Sequence, residues 1–190
     1  LNEVSKLDII PTFMGAHAIP PEFKDNPSGY VDLICEDMIS AVAEEGLAEY
    51  CDVFCEKGYF SVEDSRRIIE TAMKYNLKPR LHADEFIDSG AAELAAEVGA
   101  VSADHLMAVS DAGIKAMAEK GVIATLLPGT TLFLGKNKYA PGRKMIDSGC
   151  ELALATDFNP GSCTLQSMPL IISLSNLYCG LTIEEAFKAA

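Results

Sequence analysis

Along this chain, short apolar runs take turns with longer stretches whose apolar positions recur every three or four residues. The first run, LDIIPTFMGAH (7–17), reads as a strand entering a loop, and VDLICEDMISAVAEEG (31–46) as a helix closed by Gly46. CDVFCE (51–56) is a short strand. Ser61, with Asp64 three residues on, opens a helix whose apolar face carries Ile68, Ile69 and Met73. KPRLHAD (78–84) is the next strand, followed by an alanine-rich helix around 89–98 that ends at Gly99. AVSADHL (100–106) leads to a helix opened by Ser110 and stopped at Gly121. VIATLLPG (122–129) leads through a long loop (126–139) to a helix near 141–148. ELALATDFNPGS (151–162) leads to a helix carrying Leu165, Met168 and Ile172, and Thr182 with Glu185 forms a capping box for a last helix.

Six strand-then-helix units in a row require a parallel sheet, doubly wound or closed into a barrel. No GxGxxG follows the first strand, which removes the main support for a dinucleotide-binding fold. The chain's three histidines, His17, His82 and His105, all follow or end apolar strand-like runs, and Asp157 has the same kind of position after ELALAT. Barrel enzymes place their chemistry at the carboxyl ends of several strands. The expected fold is therefore α/β, a (β/α) TIM-like barrel with about six of the eight units. Residues 1–190 read as part of one barrel domain from which N-terminal strands are absent. Leu1 in place of a methionine, and an ending at FKAA that reads as mid-helix, agree with that expectation.

Charge narrows the function classes. A net charge of −13 argues against a nucleic-acid footprint, which should be basic. No apolar run approaches the roughly 20 residues of a membrane span, and no secretory signal is visible. The six cysteines form no CxxC pair, and Cys51 and Cys55 have no second pair to complete a zinc site. Ordinary buried thiols in a reduced, cytoplasmic setting are expected. An incomplete barrel also leaves sheet edges open, which favours association into homo-oligomers.

The candidate chemistry gathers in LHADEF (81–86) and TDFNPGS (156–162). A lone strand-end histidine is more often a hydrogen-bonded structural residue than a ligand, and Asp157 alone fits a turn. Together, at the mouth of a closed barrel, the imidazole of His82 and the carboxylate of Asp157 make N/O ligands suited to zinc or ferrous iron. His105, on the intervening strand, joins them. Glu85, on the loop above its strand, is placed for general acid/base work. Asp84 points to the opposite face and either meets the helix layer or caps the next helix. Asn159, Gly161 and Ser162 precede an expected helix start whose N–H groups suit an anionic group.

The motifs TFMGAHAIPPEF, CDVFCEKGYF, LHADEF, SADHL, LLPGTTLFL and ATDFNPGSC, in this order, resemble imidazolonepropionases, of the metal-dependent amidohydrolase superfamily. The resemblance covers essentially the whole chain. It implies hydrolysis of the ring amide of 4-imidazolone-5-propanoate to N-formimidoyl-L-glutamate in histidine degradation. It also implies one divalent metal, zinc or iron, held by His82 and Asp157. Glu85, His105 and Asp157 would be catalytic, and His17, Glu85, Asn159, Gly161 and Ser162 would bind the small-molecule substrate. The family's HxH pair on the first barrel strand has no counterpart here, nor has its flanking β domain, so the 190 residues alone are expected to bind metal weakly and lack activity. The alternatives are a related amidohydrolase such as a nucleobase deaminase, or an inactive barrel fragment.

Overall fold

The computed structural model describes residues 4–190, so Leu1, one basis for expecting a shortened start, lies outside the described residues. Six parallel strands form one sheet in the order of the chain: β1 (Thr12–Ala16), β2 (Tyr50–Cys55), β3 (Lys78–Ala83), β4 (Ser102–His105), β5 (Ile123–Leu126) and β6 (Leu152–Leu154). A doubly wound sheet reverses strand order at a switch point. This one never does, which is the winding of a barrel, with six βα units where a complete barrel has eight. The ends of β1, β2, β3 and β4 and the loop after β6 all line one cavity, so the sheet curls around it.

Helices follow each strand: α1 (Pro27–Leu33) and α2 (Ile39–Glu44) joined by a π-turn, then α3 (Val62–Lys74), α4 (Ala91–Glu97), α5 (Asp111–Lys120), α6 (Pro128–Phe133), α7 (Gly142–Asp147), α8 (Met168–Tyr178) and α9 (Ile183–Ala189). The expected caps are present. Ser61 and Ser110 accept backbone N–H groups at the starts of α3 and α5, and Thr182 and Glu185 form the capping box of α9. Asp84 caps α4, accepting from the amides of Ser89, Ala91 and Ala92 at 2.9, 3.2 and 3.0 Å. Among the described residues no helix is long and apolar enough to cross a membrane.

The register divides the sheet into two faces. Cys51, Val53 and Cys55 of β2 align with Pro79, Leu81 and Ala83 of β3, all buried under the helices. Asp52 and Phe54 align with Arg80 and His82, which in turn align with Ser102 and Asp104 of β4, and Asp104 with Thr125 of β5. That second face is the interior of the barrel, and it is polar.

Two expectations are corrected. The stretch 126–139 is not wholly a loop: Pro128 at the first helical position starts α6, whose Gly129 lies so close to Ile171 of α8 that a Cβ there would come within 2.8 Å. The last-but-one helix begins at Met168, capped by Ser167, so Leu165 precedes it and no helix starts at NPGS. Six free cysteines are all buried, as expected of ordinary thiols.

Candidate active site

At the carboxyl ends of the strands lies a cavity of about 560 Å³ whose lining includes His17, His82, Glu85, His105, Asp157, Asn159, Gly161 and Ser162. Every site residue expected from the sequence is on its wall. The chain separates them by up to 145 positions, and only the curled sheet brings them together.

Backbone conformation does part of the aiming. Side-chain alternation alone would turn His105 toward the helices, beside Ala83 in the register. Its φ of 76°, followed by 61° at Leu106, redirects it, and its ring centroid lies 4.9 Å from that of His82. Asp157 also has a positive φ, 53°, three residues past the end of β6. Left-handed backbone at non-glycine residues is costly and gathers where function needs a particular direction. A register shift between Phe13 and Ala16 in β1 precedes His17 and helps to set its direction.

At the centre is a residue that the sequence reading missed. Asp52 of β2, 3% exposed, places one carboxylate oxygen 3.2 Å from His17 Nε2 and 3.0 Å from His82 Nδ1. The signal was a single carboxylate inside an otherwise apolar strand, CDVFC, on the face opposite its cysteines. Burial opposes ionisation of Asp52, but the charge of His82 and hydrogen bonds from both imidazoles hold its carboxyl well below the usual range. Burial likewise disfavours charge on His82, and the charge and hydrogen bond of Asp52, then Asp104 and Asp157, outweigh it and lift its pKa to about 9.

Glu85 and His105 go the opposite way. Burial, reinforced by Asp157 and Glu56 and opposed by the charge of His82, raises Glu85 to about 7. Burial and the charge of His82 depress His105 to about 3, leaving a neutral imidazole whose Nε2 is 3.8 Å from the Glu85 carboxylate. Glu85 is a buried wall residue, 6% exposed.

The loop after β6 is held from within. Thr130 of α6, fully buried, donates to Asp157 Oδ2 at 2.5 Å. The Asn159 amide oxygen accepts the N–H groups of Gly161 and Ser162 at 2.8 and 2.7 Å, and its amide nitrogen donates to the Ser162 hydroxyl at 2.9 Å. Those N–H groups are thus occupied by Asn159, which replaces the anion-binding helix terminus expected there.

The donor set fits a metal ion. His17, Asp52 and His82 each offer a nitrogen or oxygen within 4.8 Å of the others, Asp157 faces the same cavity, and the buried Nδ1 of His105 has no hydrogen-bond partner. Three carboxylates, Asp52, Asp104 and Asp157, surround His82 electrostatically, a field that favours a cation.

No family model matches the chain. An imidazolonepropionase of Bacteroides fragilis is 55% identical over 188 residues, 99% of this chain and 45% of that protein. One from a Geobacillus species is 57% identical over 189 residues, 100% of this chain and 44% of that protein. The chain belongs to the imidazolonepropionase family. It spans about 45% of the length of the family members it matches. Solved structures agree on the fold: a guanine deaminase from C. acetobutylicum with bound guanine superposes with TM-score 0.70 at 16% identity, over 95% of this chain and 50% of that one. An adenosine deaminase from Xanthomonas campestris with bound zinc gives TM-score 0.63 at 17% identity, over 91% of this chain and 42% of that one.

Proposed function

We propose that these 190 residues form part of a single barrel domain of a hydrolase that opens the ring amide of 4-imidazolone-5-propanoate, giving N-formimidoyl-L-glutamate in histidine degradation. One observation carries the reading: in a chain 51–57% identical to imidazolonepropionases, every motif residue of the proposed site lines one cavity. Because those relatives are more than twice as long, the complete activity is assigned to the longer protein, and the 190 residues alone are expected to bind metal weakly and not turn over.

In this reading His82 and Asp157 hold one divalent ion, zinc or iron, with further ligands from parts of the longer protein outside this chain. Bound there, such an ion lowers the pKa of a water toward about 7 and polarises an amide carbonyl. Glu85, with its pKa lifted to about 7, is matched to take a proton from water and return it to the departing ring nitrogen near neutral pH. His105 stays neutral on the cavity wall, its Nε2 3.8 Å from the Glu85 carboxylate. The rings of Phe54 and Tyr59, centroids 4.1 Å apart and tilted by 35°, give the cavity an aromatic wall that suits a planar imidazolone. His17, Asn159, Gly161 and Ser162 position the substrate, the last three through a loop already fixed by its own hydrogen bonds. Free thiols throughout suit a reducing compartment, and the cytoplasm is the proposed location.

The test is a chimera. The matching 188-residue segment of the Bacteroides fragilis relative is replaced by this chain, the protein is loaded with zinc or iron, and loss of imidazolone absorbance is followed. Turnover that disappears with Glu85→Gln supports the reading. Turnover of guanine in place of imidazolonepropanoate would transfer the chain to the deaminases, and a folded, metal-loaded chimera with neither activity would end the proposal.

A further inference from the structure

We infer that Asp52 is a positioning residue that fixes the His82 ring by its Nδ1 and so presents Nε2 to the cavity as the ligand nitrogen. The inference rests on the metal-site reading above and adds a residue to it. The His82 ring is edged by His17, Phe54 and His105, with centroids 4.5, 5.6 and 4.9 Å away, so its plane is confined but either nitrogen could still be turned inward. What decides the turn is the hydrogen bond from Nδ1 to Asp52 Oδ1 at 3.0 Å. Among the described residues Nε2 of the same ring has no hydrogen bond, and the ring lines the cavity. A histidine that ligates a metal through one nitrogen commonly gives its other N–H to a carboxylate, which fixes the tautomer and raises the basicity of the ligating nitrogen.

Asp52 is suited to that task. It belongs to the strand next to that of His82, in register with Arg80 two residues earlier, and its side chain is 5% exposed. The same oxygen accepts from His17 Nε2 at 3.2 Å, so one carboxylate ties two cavity imidazoles from two strands. A buried carboxylate on a strand is costly unless its hydrogen bonds are made, and here both partners are site residues.

The decisive measurement is the imidazole nitrogen spectrum of the ¹⁵N-labelled 190-residue chain, first metal-free at alkaline pH and then titrated with zinc alone. The expected result is a neutral His82 protonated at Nδ1, with Nε2 taking the metal-bound shift as zinc is added. Asp52→Ala is expected to let the ring relax toward the Nε2–H form and to weaken zinc binding about 10- to 100-fold. Asp52→Asn keeps the side-chain volume and guards against misfolding; it is expected to fold like the parent and to lose less zinc affinity than alanine. Zinc on Nδ1, a parent His82 already protonated at Nε2, or zinc affinity unchanged in both variants would each overturn the inference. If the 190 residues take up no zinc, the metal-free tautomer in the parent and in Asp52→Ala decides the role of Asp52, and a chimera that also takes up none would strike the metal reading.

Discussion

The two faces of one sheet obey different rules. On the helix side, Cys51, Val53, Leu81, Ala83, Ala103, Ala124 and Leu126 are all fully buried and apolar, and their work is to exclude water. On the inner side, strands β2 to β5 carry Asp52, Arg80, His82, Ser102, Asp104 and Thr125. These make few bonds beyond their own network: Arg80 donates to Ser102 at 3.1 Å and lies 3.6 Å from Asp104, one of whose oxygens has no partner. Barrel interiors are usually filled by branched apolar residues. An interior this polar costs stability, and the difference separates the face that holds the fold from the face to which the proposed chemistry is assigned.

If that division is right, substitutions on the two faces should separate cleanly. The largest effect is expected from Glu85→Gln in the metal-loaded chimera: a fall in kcat of about 10²- to 10⁴-fold with little change in urea midpoint. Leu81→Ala should do the reverse, destabilising the chain by about 2–5 kcal/mol in urea unfolding while the chimera keeps its turnover per folded molecule. Loss of activity beyond the unfolded fraction in Leu81→Ala would erase the distinction between the faces.

A smaller effect concerns pH in the metal-free chain. Glu85 has a folded pKa raised to about 7, so the folded state holds its proton more tightly than the unfolded state does. Its contribution is full below the unfolded value of roughly 4.3 and is lost as pH rises through about 7. His105, depressed to about 3, works oppositely, its contribution being lost as pH falls from roughly 6.5 through that value. The parent-minus-Glu85→Gln difference in unfolding free energy is expected to descend across the Glu85 window by at most about 1.4 kcal/mol per pH unit. A flat difference curve would mean that Glu85 titrates as an ordinary solvated carboxylate. Smallest is Ser61→Ala on the outer helix α3, expected to cost about 1 kcal/mol through loss of the cap to Asp64 N and to leave zinc affinity untouched.

How much of this was legible in the sequence also follows the two faces. Outer-face apolar periodicity and capping residues were enough to locate all six strands and most helices, because each depends on neighbours within a turn or two. The helix α6 reads as loop because PGTTLF carries no clear apolar period; its first four residues are buried, Gly129 against Ile171 of α8, with Thr130 bonded to Asp157 and Thr131 to Met107. The motif residues were legible through their strand-end positions and their family resemblance. Asp52 was not, since a single aspartate in a strand acquires meaning only when His17 and His82 arrive beside it from other strands. The redirected backbone at His105 and Asp157 was equally hidden, being a property of dihedral angles that neither residue type prefers.

The enclosed thiols have a practical consequence. Since Cys55 lies beside Ser65 of α3, Cys51 beside Cys35, Cys163 in the loop after β6 and Cys179 at the end of α8, alkylation at each site requires a different part of the molecule to come apart. Timed labelling followed by peptide mass mapping would therefore turn the cysteines into resident gauges of breathing. Such a clock would tell whether the cavity rim loosens before the sheet itself gives way.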